Sequence, residues 1–199
     1  MFGKKIMLDI GSANLKIKGW ITSDLPAPYA PRPFYWIYNN KKLLLDATSF
    51  ENWKLYFDKE TIFCVNTEHV LEHLNNKEID LILQNIYYFL KPNGNLRIAV
   101  PDGGRDDPYY ISKVKPPVDG HKQLFTLETL TATLSKNGFE VVPKEFFENG
   151  KLVKHEYDDK FGKIKRSSKH DKREIFKYND HCYTSLIVDA CKANIKQSN

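Results

Sequence analysis

The sequence predicts a single α/β domain that spans residues 1–199 and is built on an open sheet. Three observations support this fold class. An apolar run over residues 6–10 stops abruptly at Gly11, strand and helix signals alternate along the chain, and apolar residues recur at helical spacing over residues 78–90. A chain of 199 residues with 41% hydrophobic content can bury one good core, so we expect one domain and not two.

The first strand and the loop after it form a candidate ligand site. The run IMLDI contains one acid, Asp9, and is followed by Gly11 and the small residues Ser12 and Ala13. Glycine permits backbone dihedrals that other residues avoid and lets a ligand approach the main chain closely. In an open α/β sheet this loop lies where nucleotide-like ligands bind, and an acid that closes the second strand, here Asp24, is placed to bond ribose hydroxyls. An ordinary tight turn remains the alternative.

The next elements are short or irregular. The positions between Gly11 and Asp24 are too few for a crossover helix of ordinary length, so the first helix is expected to be short or lost. Residues 25–40 are rich in proline and aromatic residues and are expected to form an irregular surface segment. Residues 42–47 are a predicted third strand. Residues 61–67 are a fourth, apolar and β-branched enough to lie in the centre of the sheet.

The middle of the chain carries two helix patterns, a strand and a long polar segment. One helix is expected to open with the motif HVLEHL and a second to span residues 78–90, followed by a fifth strand over residues 95–100. Residues 103–121 are polar and contain prolines, which is typical of a lid-like functional loop. Thr126 is the predicted N-cap of a further helix that ends near Gly138.

The last part of the chain is predicted to complete the sheet. Residues 139–147 and 151–157 flank a turn that contains Asn-Gly, a pattern typical of a β-hairpin. Residues 158–181 form a charged, basic-leaning insertion, and residues 183–190 are the last buried strand.

Composition limits the classes of partner and compartment. The net charge of +5 is mild and suits an anionic small-molecule substrate better than nucleic acid, which we do not expect as a partner. Cys64, Cys182 and Cys191 are odd in number and include no CxxC pair, so neither a disulfide framework nor a zinc knuckle is predicted. The chain shows no signal-peptide pattern and no stretch long enough to span a bilayer, so we expect a cytoplasmic protein. No pattern indicates an oligomeric state.

Four motifs in order carry a family resemblance. LDIGSA at a strand end, HVLEHL, FLKPNGNLRIAVPD and HKQLFTLETLTATLSKNGFEV resemble the class I S-adenosylmethionine-dependent methyltransferases, and the ending RSSKHDKREIFKYNDHCYTSLIVDACK is also similar. The nearest group is a set of small bacterial enzymes of the methyltransferase type 11 kind, many of them associated with cell-surface glycan biosynthesis. This resemblance implies a Rossmann-like, mostly parallel sheet of seven strands in the order 3-2-1-4-5-7-6, with an antiparallel last strand and helices on both faces.

The resemblance also implies S-adenosylmethionine as cofactor and residues to bind it. These residues share positions at the ends of the first four strands: Asp9, Gly11, Ser12, Ala13, Asp24, Asp46, Ala47 and Thr67. The loop after the first strand would line the methionine end, Asp24 the ribose, and Asp46 with Ala47 the adenine. Ala13 stands where the family usually has a second glycine. A methyl group there narrows the loop, which leaves a degenerate, non-catalytic site as an alternative.

Candidate catalytic and substrate residues lie farther along the chain. A hydroxyl acceptor benefits from a general base, for which His121 is the first candidate and His69 the second. The alternative for His121 is a loop histidine that fixes the backbone. Further candidates are polar residues that would hold an anionic substrate, orient it or stack on a sugar ring: Asp102, Arg105, Tyr109, Arg166 and Arg173. The alternative for these charges is a solvated surface.

The motif HVLEHL also matches the H-x-x-E-H pattern of inverted zinc proteases. Two histidines four apart on a helix share a face and can grip zinc, with Glu72 activating water. No downstream acid presents itself as a third ligand, so no metal site is predicted. The alternative is that Glu72 and His73 pair with each other or cap neighbouring backbone.

Three functions remain open from the sequence. The first is a methyltransferase that acts on a hydroxyl of a sugar or a sugar-linked small molecule in glycan assembly. The second is an RNA or protein methyltransferase, which only the lysine-rich residues 160–173 favour. The third is a non-catalytic scaffold with a degenerate cofactor site, which Ala13 favours.

Overall fold

The computed structural model describes residues 5–11, 17–25, 43–171 and 185–192, so the predictions for Ser12, Ala13 and Arg173 lie outside the described residues. Its strands are β1 (Ile6–Ile10), β2 (Ile21–Asp24), β3 (Leu43–Leu44), β4 (Ile62–Glu68), β5 (Leu90–Pro101), β6 (Phe139–Glu148), β7 (Lys151–Lys154) and β8 (Ser185–Lys192). Its α-helices are α1 (Phe50–Lys54), α2 (Asn76–Phe89), α3 (Pro108–Val114) and α4 (Leu127–Lys136). Three 3₁₀ turns cover Leu71–His73, Val118–Gly120 and Asp159–Phe161.

All eight strands join one sheet in the order β3-β2-β1-β4-β5-β8-β6-β7. Strands β1 to β5 pair in parallel, whereas β8 runs antiparallel to both β5 and β6. The predicted mostly parallel sheet with an antiparallel last strand is therefore confirmed. The sheet has one strand more than predicted, because β7 pairs antiparallel with β6 and extends the edge.

One face of the sheet carries the hydrophobic core. Alternate strand residues such as Leu8, Ile98 and Val188 pack in one cluster with the apolar sides of α1, α2 and α4. Two of these helices begin where the sequence contains a good N-cap. Asn75 accepts a hydrogen bond from the backbone of Glu78, and Thr126 accepts one from Thr129, as predicted for Thr126.

The opposite face of the sheet combines a small apolar cluster around Ile164 with buried polar contacts where the strands meet residues 155–171. Arg97 of β5 is fully buried and donates to both carboxylate oxygens of Asp189 on β8. The same guanidinium donates to the main-chain oxygens of Asp158 and Gly162. Among the described residues, this face of the central strands is thus covered by a segment that is irregular apart from one 3₁₀ turn.

Three local predictions need correction. Residues 69–74 form only the 3₁₀ turn Leu71–His73, because His69 has a left-handed φ of 58° that interrupts a helix. The lid-like segment over residues 103–121 contains α3, which starts with a proline directly after the N-cap Asp107. The third strand is only the two residues of β3.

No helix within the described parts of the chain is long and apolar enough to cross a membrane.

Candidate functional site

The carboxyl ends of the parallel strands meet at one edge of the sheet. Gly11 follows β1, Asp24 closes β2, and His69 follows β4. Strand β1 lies between β2 and β4, so the strand order reverses there, and ligands of open α/β sheets bind in the crevice at such a point. Gly11 has a φ of +71°, and a β-carbon at this position would collide with a methyl group of Val70. Gly11 therefore lies directly against Val70 in the segment after β4.

Two predicted cofactor residues are buried beneath this crevice. Asn66 donates to the carboxylate of Asp9 at 2.6 Å, and Ser23 donates to the Asp9 main-chain oxygen at 3.1 Å, so Asp9 ties β1 to both neighbouring strands. Thr67 is fully buried near the end of β4, and its hydroxyl has no hydrogen-bond partner among the described residues. A buried hydroxyl without a partner is costly and fits a polar ligand that would complete it.

The predicted ribose and adenine residues occupy the next strand ends. Asp24 accepts a hydrogen bond from the backbone of Leu25 at 3.0 Å. Asp46 accepts from the main chain and hydroxyl of Thr48, which stabilises the turn before α1. The main-chain oxygen of Ala47 accepts from the side chain of Trp53, among others. Asp24 lies at the carboxyl end of β2, and Asp46 and Ala47 support the turn before α1 and its packing.

His69 has a strained backbone and a buried side chain. Its Nε2 lies 2.9 Å from the hydroxyl of Ser185, which itself donates to the main-chain oxygen of Arg166. The hydroxyl proton is thus used, so His69 Nε2–H is the donor to Ser185. Nδ1 lies 2.9 Å from Glu72 Oε1, a contact that requires a proton between these two atoms. Burial lowers the pKa of His69, although the adjacent Glu72 acts in the opposite direction.

His121 lies near Glu72, with one donor atom of each side chain within 4.8 Å of the other. Its side chain is 8% exposed, and its Nδ1 donates to the main-chain oxygen of Val114 at 2.7 Å. This hydrogen bond leaves the lone pair on Nε2. The ring meets that of His73 edge-on, with 4.8 Å between the ring centroids. The structure thus brings both predicted histidines to Glu72, although they are far apart in the sequence.

Two of the predicted substrate residues are engaged within the protein. The carboxylate of Asp102 accepts hydrogen bonds from the backbone of Gly104 and Phe147, and burial raises its pKa to about 6. Arg105 is buried, pairs with Asp107 at 3.2 Å and packs over the ring of Phe147, among others. Both placements suit residues that hold the 103–121 segment together.

The other two described candidates are accessible. Tyr109 on α3 is 57% exposed. The backbone of Arg166 donates to Glu68 at the end of β4, which places Arg166 near His69, and its charge contributes to lowering the pKa of His69. Sequence reasoning did not select Ser185 or Val70, because only the fold brings them to the strand ends. Glu72 was marked by the HVLEHL motif alone.

No family model matches the sequence, and no curated protein matches it. Solved structures do share its fold. A SAM-dependent methyltransferase from Archaeoglobus fulgidus is 18% identical, with a TM-score of 0.56 over 96% of this chain and 86% of that one. A possible histamine N-methyltransferase from Thermotoga maritima is 16% identical, with a TM-score of 0.55 over 96% and 83%.

A third similar structure contains ligands. The 1,6-didemethyltoxoflavin-N1-methyltransferase of Burkholderia thailandensis, with 1,6-didemethyltoxoflavin and S-adenosylhomocysteine bound, is 12% identical. Its TM-score is 0.54 over 94% of this chain and 70% of that one. Likeness at this level of identity concerns the fold. The chain therefore has the fold of the class I S-adenosylmethionine-dependent methyltransferases, as the sequence motifs predict.

Proposed function

We propose that this protein is an S-adenosylmethionine-dependent methyltransferase that acts on a hydroxyl of a small molecule. The observation that carries the proposal is the position of Gly11, Asp24 and Thr67 at the carboxyl ends of neighbouring parallel strands, where the strand order reverses. The buried Thr67 hydroxyl without a partner in the described chain supports a polar ligand at this edge. The fold shared with solved methyltransferases supports the reaction class.

The residues present fit the cofactor. The backbone at Gly11 can donate to a carboxylate, and the carboxylate of Asp24 can accept hydrogen bonds from a ribose diol. Thr67 offers a hydroxyl for a polar group of the ligand. When bound, S-adenosylmethionine supplies an electrophilic methyl group on a sulfonium, whose displacement leaves a neutral thioether. The protein then mainly has to align the acceptor and accept its proton.

A histidine near Glu72 can accept the proton of the acceptor hydroxyl. The Nε2 lone pair of His121 is available because Nδ1–H is bound to Val114, so this atom can take a proton from an acceptor hydroxyl. The charge of Arg166 near His69 suits an anionic group on the substrate. Exposed Tyr109 offers a ring face for stacking on a sugar. These features, with the resemblance to glycan-associated enzymes, support a sugar or sugar-linked acceptor.

Calorimetry with S-adenosylmethionine tests the proposal. We expect saturable binding by the wild-type protein, and Asp24→Ala should weaken it by about 1 to 3 kcal/mol, because a charged acceptor of ribose hydrogen bonds is removed. Asp58→Ala is the matched control. Asp58 is exposed and precedes β4, so it lies at the amino ends of the parallel strands and away from the proposed site. No heat at millimolar ligand would contradict the proposal and favour a scaffold.

A methyl-transfer assay then addresses the acceptor. We expect transfer to a member of a panel of sugars and sugar nucleotides. Transfer only to RNA or protein would keep the cofactor assignment and refute the small-molecule acceptor.

A further inference from the structure

We propose that Glu72, His73 and His121 bind a divalent transition metal ion such as Zn²⁺ or Mn²⁺. One donor atom from each of the three side chains lies within 4.8 Å of the other two. Protein ligands around such an ion stand about 2.0 to 2.2 Å from it, so a modest side-chain adjustment brings all three into contact with one ion. The motif HVLEHL lacked a third ligand in the sequence, and the fold supplies one from the distant His121.

The carboxylate of Glu72 is the strongest sign of a missing cation. Glu72 is 0% exposed, and its Oε2 has no hydrogen-bond partner within the described residues. The approach of His69 Nδ1 at 2.9 Å engages only Oε1. A buried carboxylate oxygen without a partner is costly, and buried charges are normally paired or bound to a metal. A cation between Glu72 and the two imidazoles would compensate this charge.

The two histidines are oriented as metal ligands. Metal-binding histidines usually donate their second ring N–H to a carbonyl or carboxylate, which fixes the tautomer and the ring. His121 makes this hydrogen bond to Val114 at 2.7 Å and so directs its lone pair to Nε2. His73 is half-buried beside it, and its ring makes no hydrogen bond within the part of the chain that the structure describes. Both imidazoles therefore have lone pairs for an ion.

The main chain holds the two segments of the site together. The Glu72 main-chain oxygen accepts hydrogen bonds from the backbone of Lys122 at 2.7 Å and of Gln123 at 3.1 Å. The Gln123 side chain also donates to the main-chain oxygen of Leu74 at 3.0 Å. Ligands on a fixed backbone need less reordering when an ion binds, which favours a preformed site.

The donor set selects the class of ion. Two imidazoles and one carboxylate suit borderline transition metals, whereas Mg²⁺ prefers a shell of oxygen atoms. Three protein ligands also leave an open coordination position, as in catalytic zinc sites. With three protein ligands, the site resembles a catalytic metal site, which can bind a further molecule, more than a structural metal site with four protein ligands.

The position of the metal site suggests a role in activating the acceptor, an inference that rests on the proposed function. Val70 contacts the loop after β1, and Glu72 follows only two residues later, so the ion would lie next to the cofactor crevice. A hydroxyl bound at the open position would lose its proton to water more easily, because the cation would stabilise the resulting oxyanion. With the ion bound, His121 would be a ligand, and the metal would replace the imidazole base that the proposed function assigns to His121 in the metal-free protein.

Metal binding can be measured without any activity assay. We expect chelator-treated full-length protein to bind about one equivalent of Zn²⁺ or Mn²⁺ in calorimetry, with Mg²⁺ binding much more weakly. Glu72→Gln and His73→Ala should each weaken binding by at least about 100-fold, since loss of even an indirect supporting residue costs 10- to 100-fold. His155→Asn is the matched control, because His155 is exposed on the segment after β7.

The outcomes separate the metal site from the proposed function. Binding that is lost in both variants and kept in His155→Asn supports the site, and circular dichroism of half-buried His73→Ala verifies that the variant is folded. The inference is overturned if wild-type protein binds neither ion saturably, if His73→Ala binds like wild type, or if Mg²⁺ binds equally well. Titration with S-adenosylmethionine is scored separately, so a protein that binds metal but no cofactor refutes only the proposed function.

Discussion

Arg97 on β5 and Asp189 on β8 form a bidentate ion pair. Arg97 Nε lies 2.7 Å from Asp189 Oδ1, and Nη2 lies 2.8 Å from Oδ2. The arginine is fully buried. Removing one partner of such a pair leaves an uncompensated buried charge. Asp189→Asn should therefore lower the free energy of unfolding by about 3 to 5 kcal/mol, measured by urea denaturation.

An apolar replacement of both partners is the control for this prediction. The double variant Arg97→Met/Asp189→Leu should recover much of the loss, because no charge remains to be desolvated. A single variant Asp189→Asn within 1 kcal/mol of wild type would contradict the importance of the pair.

Alanine substitutions at Gly11 and Gly19 separate the cost of a steric clash from the cost of a left-handed backbone. Both have positive φ, but a β-carbon at Gly11 meets Val70, whereas one at Gly19 meets nothing. Each alanine variant should lose about 1 to 2 kcal/mol from the left-handed backbone. Gly11→Ala should lose about a further 1 kcal/mol or more of unfolding free energy, because the added methyl group overpacks against Val70. Thermal unfolding of the two variants measures this difference. Equal losses would mean that the loop yields to the extra methyl group.

The carboxyl of Asp102 predicts a specific dependence of stability on pH. Burial raises its pKa from 3.8 to about 6, so the folded protein holds this proton more tightly than the unfolded chain. Its contribution to stability is therefore full below about pH 4 and is lost as the pH rises through about 6, a change of about 3 kcal/mol.

The variant Asp102→Asn isolates this effect because it cannot titrate. The difference in unfolding free energy between wild type and Asp102→Asn should favour wild type by about 3 kcal/mol more at pH 4 than at pH 7. Groups distant from Asp102 cancel in the difference, whereas Glu145, whose pKa the Asp102 charge helps to raise, contributes a smaller part of it. A difference that is the same at both pH values would assign a normal pKa to this carboxyl.

Local sequence patterns correctly predicted several strand ends, caps and turns of the fold. The run that ends at Gly11, the N-cap at Thr126 and the hairpin around Asn149 each depend on a few neighbouring residues, and each has the expected structure. The motif HVLEHL failed as a helix for a different reason. The backbone N–H of His69 donates to the main-chain oxygen of Ala99 on β5, so a tertiary contact accompanies the left-handed conformation.

The site was less accessible from the sequence than the fold. The chain order shows a histidine at position 121 but not that the main chain of Lys122 is bound to Glu72. The ion pair between Arg97 and Asp189 likewise joins distant segments, and nothing in the local pattern of an apolar strand marks its partner. Predictions of strand ends therefore held, whereas pairs of side chains needed the assembled sheet.

Thr67 offers a test in which stability and ligand affinity should change in opposite directions. Its hydroxyl is buried without a hydrogen-bond partner among the described residues, so it destabilises the ligand-free protein. Thr67→Val has nearly the same shape and removes this hydroxyl. We expect the ligand-free variant to gain about 1 kcal/mol or more in unfolding free energy, measured by urea denaturation.

The same substitution should weaken S-adenosylmethionine binding, because the ligand would lose the group that completes the Thr67 hydroxyl. A loss of about 1 kcal/mol or more in calorimetry is expected, and Thr67→Ser, which keeps the hydroxyl, should bind much as wild type does. Greater stability with unchanged affinity would mean that Thr67 is buried near the crevice but does not contact the cofactor. Lower stability would mean that the hydroxyl already has a partner in the folded protein.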